Sequence, residues 1–130
     1  MSVLSRAFEK HCAFIPYLTF GDPTVAFTSE LILRCFDAGA DIVELGIPFS
    51  DPIADGPVIQ ESHYRALRNK DDVSLMAALK VVSDTKKKVS KPIVFMASSN
   101  LVLQYGIERF FEDAAQHGLD GIVIPDLSVA

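Results

Sequence analysis

The hydrophobic positions of the chain fall into two alternating patterns. Short, near-continuous apolar runs bounded by glycine, proline or aspartate stand at residues 13–19 (AFIPYLT), 41–45 (DIVEL), 92–96 (PIVFM) and 121–124 (GIVI). Runs of this kind, without polar alternation, predict strands of a parallel sheet covered on both faces. Between them apolar residues recur at helical spacing. Asp22 and Pro23 read as a cap and a helix-starting proline, Leu31, Ile32, Cys35 and Phe36 as the inward stripe, and Gly39 as the stop. Residues 72–88 place Leu75, Met76, Leu79 and Val82 on one side and end in Lys86, Lys87 and Lys88, cations suited to the negative end of a helix dipole. Residues 107–117 turn Ile107, Phe110, Phe111 and Ala114 inward, with Gly118 at the stop. The predicted order is β-α-β-α-β-α-β.

A weak internal repeat accompanies this order, for AGADIV at 38–43 resembles HGLDGI at 117–122, and two βα units fill the interval. Units that each deliver a helix-end glycine and then a buried strand build a (βα)8 barrel, which normally takes about 250 residues. A chain of 130 residues holds about the first half of one: four parallel strands with helices, in a single partial barrel domain over 1–130. A doubly wound sheet is the alternative, although no G-x-G-x-x-G turn follows the first strand.

Composition narrows the function classes. With 49% hydrophobic and 22% charged residues the chain reads as globular rather than disordered. Seventeen acids against twelve bases give a net charge of -5, and apart from the lysine triplet the bases are scattered, which argues against a nucleic-acid partner. No run approaches the roughly 18 apolar residues of a membrane span, and no apolar stretch follows the first basic residues, so a cytoplasmic location without membrane association is expected. Cys12 and Cys35 lack C-x-x-C spacing and read as buried small hydrophobes, which leaves neither disulfide nor metal site.

Chemistry belongs at the C-terminal ends of the strands. After the second strand runs ELGIPFSDPIADGPVIQ at 44–60, with three prolines and two glycines, far longer than the usual βα connection. Glu44 inside a buried strand must be paired with a distant base or backbone donors, or have its pKa raised; a general acid/base is the favoured reading. Asp51 and Asp55 either cap local turns or, for Asp55, divide labour with Glu44 as the carboxylate that stays ionised. His11 precedes the first strand, His63 lies on the helix after the loop and His117 at a helix end; none is assigned to chemistry.

PYLTFGDP at 16–23 followed by AGADIVELGIPFSDPIADGPVIQ at 38–60 resembles the tryptophan synthase alpha subunit family, with weaker likeness at MASSN (96–100) and IPDL (124–127). The resemblance implies a (βα)8 barrel and a carbon–carbon lyase of tryptophan biosynthesis. Its reaction is retro-aldol cleavage of indole-3-glycerol phosphate to indole and glyceraldehyde 3-phosphate. It implies no cofactor on this chain and, as partner, a beta subunit that carries pyridoxal phosphate. Glu44 matches the family's catalytic glutamate and Asp55 the aspartate that accepts the indole N–H. Tyr17 and Met96 match positions lining the indole pocket, and both read equally well as core. The loop from Pro48 to Pro57, including Phe49, Ser50, Asp51 and Pro52, matches the element that faces the beta subunit.

Two departures change the picture. Where the family often has MTYYNP this chain has MASSNL at 96–101, so Ser98 or Ser99 stands where a ring packs beside the glutamate, and the pocket is expected to be wetter. The family's phosphate site is built from the last βα loops, beyond the matched half. Three readings therefore stay open: the lyase subunit, another barrel aldolase or isomerase using Glu44 as base, and a non-catalytic half-barrel that binds or regulates the beta subunit. The unpaired edges at 13–19 and 121–124 also predict self-association of the half-barrel.

Overall fold

The computed structural model describes residues 1–9 and 12–128, so His11 lies outside the described residues. Among them the elements run α1 (Val3–Arg6), β1 (Tyr17–Thr19), α2 (Val25–Asp37), β2 (Val43–Gly46), α3 (Pro57–Arg68), α4 (Leu75–Lys86), β3 (Ile93–Met96), α5 (Ser99–Tyr105), α6 (Ile107–His117) and β4 (Gly121–Val123). The strands form one parallel sheet in the order β1-β2-β3-β4, as a half-barrel requires. Tyr17, Glu44, Val94 and Gly121 stand in one row across it, and Thr19, Gly46, Met96 and Val123 in the next.

Side chains alternate along a strand, so these two rows share one face and Leu18, Leu45, Phe95 and Ile122 share the other. The second face carries the core. Val43, Leu45, Ile93 and Phe95 have no exposed surface, and Ile32 and Phe36 of α2, Leu79 and Val82 of α4, and Phe110 of α6 join them in one cluster. The expectation of a sheet covered on both faces is thus met on one. Tyr17, Glu44, Val94 and Met96 remain only half-buried, because the face a barrel turns inward has no opposing strands here.

Local chemistry moves several boundaries. β1 begins at Tyr17 rather than at residue 13, since Pro16 has no N–H for the ladder; the Phe14 and Pro16 carbonyls still accept from Asp41 and Glu44 at 2.9 and 3.0 Å. α2 starts at Val25 and not at Pro23, for Thr24 is its cap and accepts from the Phe27 N–H at 3.1 Å. Asp22, read as that cap, instead receives a two-pronged ion pair from Arg65 at 3.1 and 2.8 Å. Ile107 and Phe111, predicted inward, are 52% and 50% exposed. α6 has α4 and α5 as helical neighbours, and only its seam through Phe110 and Ala114 reaches the core. Cys12 is exposed, in the segment ahead of β1 that the sheet does not cover, whereas Cys35 is partly buried.

The internal repeat is physical. Gly39 and Gly118 both take positive φ, +106° and +79°, at the ends of α2 and α6. The aspartate two residues later then grips the start of the neighbouring strand segment in both units. Asp41 accepts from the Phe14 N–H at 2.8 Å while its own N–H donates to the Phe14 carbonyl at 2.9 Å. Asp120 repeats this on Ile93, at 2.9 and 3.0 Å. Lys86 completes the second clamp, with Nζ 2.5 Å from Asp120 and 2.9 Å from the Lys91 carbonyl. Lys86 of the lysine cluster is therefore structural, while Lys87 pairs with Asp84 on the exposed surface. No helix among the described residues is long and apolar enough to cross a membrane.

Candidate active site

β2 ends at Gly46 and α3 begins only at Pro57, which leaves residues 47–56 as the long loop. Short-range bonds shape it: the Ile53 N–H donates to the Asp51 carbonyl at 2.8 Å and the Asp55 N–H to the Pro52 carbonyl at 3.1 Å. Gln60, one turn into α3, ties the loop down with Nε2 donating to the Asp55 carbonyl at 2.8 Å. Between this loop and the ends of β3 and β4 opens a cleft, with Ile47, Phe49, Asp55, His63, Met96, Ser98 and Asp126 among its walls. Functional residues are expected at this end of a parallel sheet.

Glu44 sits one row deeper, between Tyr17 on β1 and Val94 on β3. Burial raises its pKa above the ordinary carboxylate value. Among the described residues neither a base nor a backbone donor is hydrogen-bonded to its carboxylate. It lies beneath the cleft rather than in its wall.

Asp55 is brought to the same place by the loop. Its side chain is 12% exposed, with Oδ2 4.0 Å from Nε2 of His63, which is 5% exposed. Nε2 of His63 also lies 3.3 Å from the Tyr17 hydroxyl, and the Phe49 N–H donates to Nδ1 at 3.2 Å. Desolvation pushes the Tyr17 hydroxyl up to about 12, and the charges of Asp55 and Glu44 both push the same way, so the hydroxyl lies within electrostatic reach of each. The ring has room because residue 46 is glycine: a Cβ there would stand 1.9 Å from the Tyr17 oxygen.

Comparison with known proteins assigns this architecture. The sequence profile of the tryptophan synthase alpha chain family matches residues 4–130. The chain belongs to that family. It is 43% identical over 127 residues to the tryptophan synthase alpha chain of Petrotoga mobilis, covering 98% of this chain and 48% of that one. The crystal structure of tryptophan synthase subunit alpha from Legionella pneumophila superposes with a TM-score of 0.92 at 36% identity, covering 98% of this chain and 50% of that chain. The tryptophan synthase complex from Pyrococcus furiosus matches with a TM-score of 0.82 at 46% identity, covering 89% and 47%. The chain thus spans about half the length of the relatives it matches, and its four parallel strands are half of a tryptophan synthase alpha barrel.

The remaining residues named from the sequence fall on both sides of expectation. Met96 lines the cleft, in the same row as Gly46. Tyr17 does not line it and meets one of its wall residues, His63, through its hydroxyl. Of the loop, Ser50, Asp51 and Pro57 are exposed and Phe49 and Pro52 partly so, but Pro48 is buried and cannot face a partner. Ser98 and Ser99, which depart from the tryptophan synthase alpha pattern, do not open onto Glu44. The Ser98 hydroxyl donates to Asp126 Oδ2 and the Ser99 N–H to Oδ1, each at 2.8 Å, and these bonds hold the Asp126 pKa below its ordinary value. They tie the end of β3 to the segment after β4.

His63 and Asp126 were not assigned to the site from the sequence. The signal for His63 was available: α3 is amphipathic, with Ser62, His63 and Ala66 on its buried side, a spacing that turns the imidazole toward the strand ends.

Proposed function

We propose that this chain contributes the acid/base and electrostatic groups of a tryptophan synthase alpha-type lyase, cleaving indole-3-glycerol phosphate to indole and glyceraldehyde 3-phosphate in cytoplasmic tryptophan biosynthesis. The observation that carries the proposal is Glu44: a half-buried carboxylate with raised pKa and no partner among the described residues, placed beside Tyr17 toward the C-terminal end of a parallel half-barrel. A raised pKa lets one group serve as acid and then as base. Protonated Glu44 delivers its proton to indole C3, leaving positive charge on the ring nitrogen that the Asp55 carboxylate stabilises by accepting the N–H. The ionised Glu44 then takes the hydroxyl proton on the side-chain carbon bonded to C3. That carbon becomes the aldehyde as the C–C bond breaks, and the bonding pair returns to the ring. Protons balance and no cofactor is needed from this chain. Met96, with Ile47 and Phe49, supplies the apolar surface for the ring.

The partner in this reading is a pyridoxal-phosphate beta subunit that receives indole, facing the exposed part of the loop at Ser50, Asp51 and Pro57. That a similar chain was solved as part of a tryptophan synthase complex supports a protein partner in general. The test joins residues 1–128 to the C-terminal half of the Petrotoga mobilis alpha chain and measures indole release. Asp55→Asn should lower it by at least about 10²-fold, the scale of one lost electrostatic stabiliser. Turnover of a different phosphosugar instead would favour the aldolase or isomerase reading. Beta-subunit binding without any turnover would favour the binding module.

A further inference from the structure

Among the described residues, His63 is the strongly buried titratable group at the cleft that the chemistry above leaves without a task. Its side chain is 5% exposed, yet both ring nitrogens are engaged by different elements. On one side the Phe49 N–H from the loop donates to Nδ1 at 3.2 Å. An N–H donor demands a lone pair, so the ring proton must sit on Nε2. On the other side Nε2 lies 3.3 Å from the Tyr17 hydroxyl on β1, which in turn is 3.4 Å from the Thr19 hydroxyl. Thr19 continues to Ser62 at 2.6 Å, and Ser62 donates to the Ile59 carbonyl, so the chain of bonds returns to α3. Nε2 is also the atom 4.0 Å from Asp55 Oδ2.

We propose that His63 is a positioning residue for Asp55: as the neutral Nε2–H tautomer it fastens the loop at Phe49 to Tyr17 on β1 and leaves the Asp55 charge uncompensated for a ligand N–H. The proposal deepens the reading above, because Asp55 is the group on which His63 acts. Protonation would place a proton on Nδ1, break the Phe49 bond and set a cation beside Asp55. The cleft would then lose both its loop anchor and its free negative charge in one step. The other charged groups around the ring do not compete for this role. Glu44 on β2 reaches it only through Tyr17, Asp51 and Asp126 line the cleft from the loop and from the segment after β4, and Glu61 and Arg65 on α3 itself pair with each other outside. Burial of His63 lowers its pKa and so keeps it neutral at neutral pH, while the Asp55 charge opposes that shift.

Nitrogen-detected NMR of the 130-residue chain tests this without any turnover assay. The expected result is a neutral ring protonated on Nε2, with a titration midpoint below the ordinary histidine value that falls further in Asp55→Asn. His63→Asn, which offers an acceptor to Phe49 and a donor to Tyr17, should retain slow hydrogen exchange at the Phe49 amide and abolish its acceleration at low pH. His63→Ala should lose that protection about tenfold or more, the equivalent of one hydrogen bond. An Nδ1–H tautomer, or a midpoint unmoved by Asp55→Asn, would overturn the proposal. Failure of indole-3-glycerol phosphate cleavage would leave these signals intact and count against the lyase alone.

Discussion

Replacing Gly46 by alanine is the sharpest structural test of how the site is built. A Cβ at residue 46 would lie 1.9 Å from the Tyr17 oxygen, 2.5 Å from Cζ and 2.7 Å from Cε2, where ordinary contact begins at 3.4 Å. The ring must move by more than an ångström. Its bonds to His63 and Thr19, at 3.3 and 3.4 Å, are already long and would not survive such a shift. Overpacking of this kind costs about 1–3 kcal/mol, which includes the loss of hydrogen bonds worth about 0.5–1.5 kcal/mol each. The backbone of Gly46 is not among the positive-φ positions, so alanine itself is conformationally acceptable there. In a Tyr17→Ala background the clash is gone, and Gly46→Ala should be close to neutral or slightly stabilising by a few tenths of a kcal/mol. Urea unfolding of the four proteins of this double-mutant cycle, at one protein concentration, should therefore give a coupling of about 2 kcal/mol. Equal costs of Gly46→Ala in both backgrounds would refute the placement of the Tyr17 ring over Gly46.

Other predictions follow from the charges. His63 has a folded pKa below its unfolded value of about 6.5, so the unfolded chain takes the proton first and stability should fall as pH drops below about 6.5; His63→Asn should flatten that slope in urea titrations. Glu44 runs the other way: with its pKa raised, its favourable contribution is complete below the unfolded value and is lost as pH rises through the folded one, so Glu44→Gln should stabilise the chain at pH 7. Asp120→Ala strands the Ile93 N–H and the Lys86 ammonium and should cost about 1–3 kcal/mol by the same assay, with no cost recovered by Lys86→Met alone. The open edges of β1 and β4 should drive the chain by itself to associate; light scattering that gives a stable monomer at micromolar concentration would contradict this.

The parallel sheet was legible because its core-facing rows are pure Val, Ile, Leu and Phe, and the clamps at Asp41 and Asp120 were visible as a repeated glycine–x–aspartate before a strand. Periodicity could tell which side of α6 turns inward but not how wide the contact is, so Ile107 and Phe111 were placed in a core that only Phe110 and Ala114 reach. Glu44 and Asp55 stood out because charge inside an apolar run and in a proline-rich loop demands an account. The inward turn of His63 was readable from the spacing of α3, but its partners Phe49, Tyr17 and Asp55 are held on separate elements, and their meeting was not. The bonds of Ser98 and Ser99 to Asp126 were not legible, because that acceptor lies 28 and 27 residues away.

The central claim is that Glu44 moves the protons of a carbon–carbon cleavage. The most direct measurement is indole release from indole-3-glycerol phosphate by the fused barrel carrying either glutamate or glutamine at residue 44, with folding of both checked by circular dichroism. The amide is nearly isosteric but cannot exchange the proton, so the rate should fall by at least the factor of about 10²–10⁴ ascribed to general acid–base catalysis. A Glu44→Gln enzyme that keeps its rate within about threefold would contradict the account and return Glu44 to a structural role.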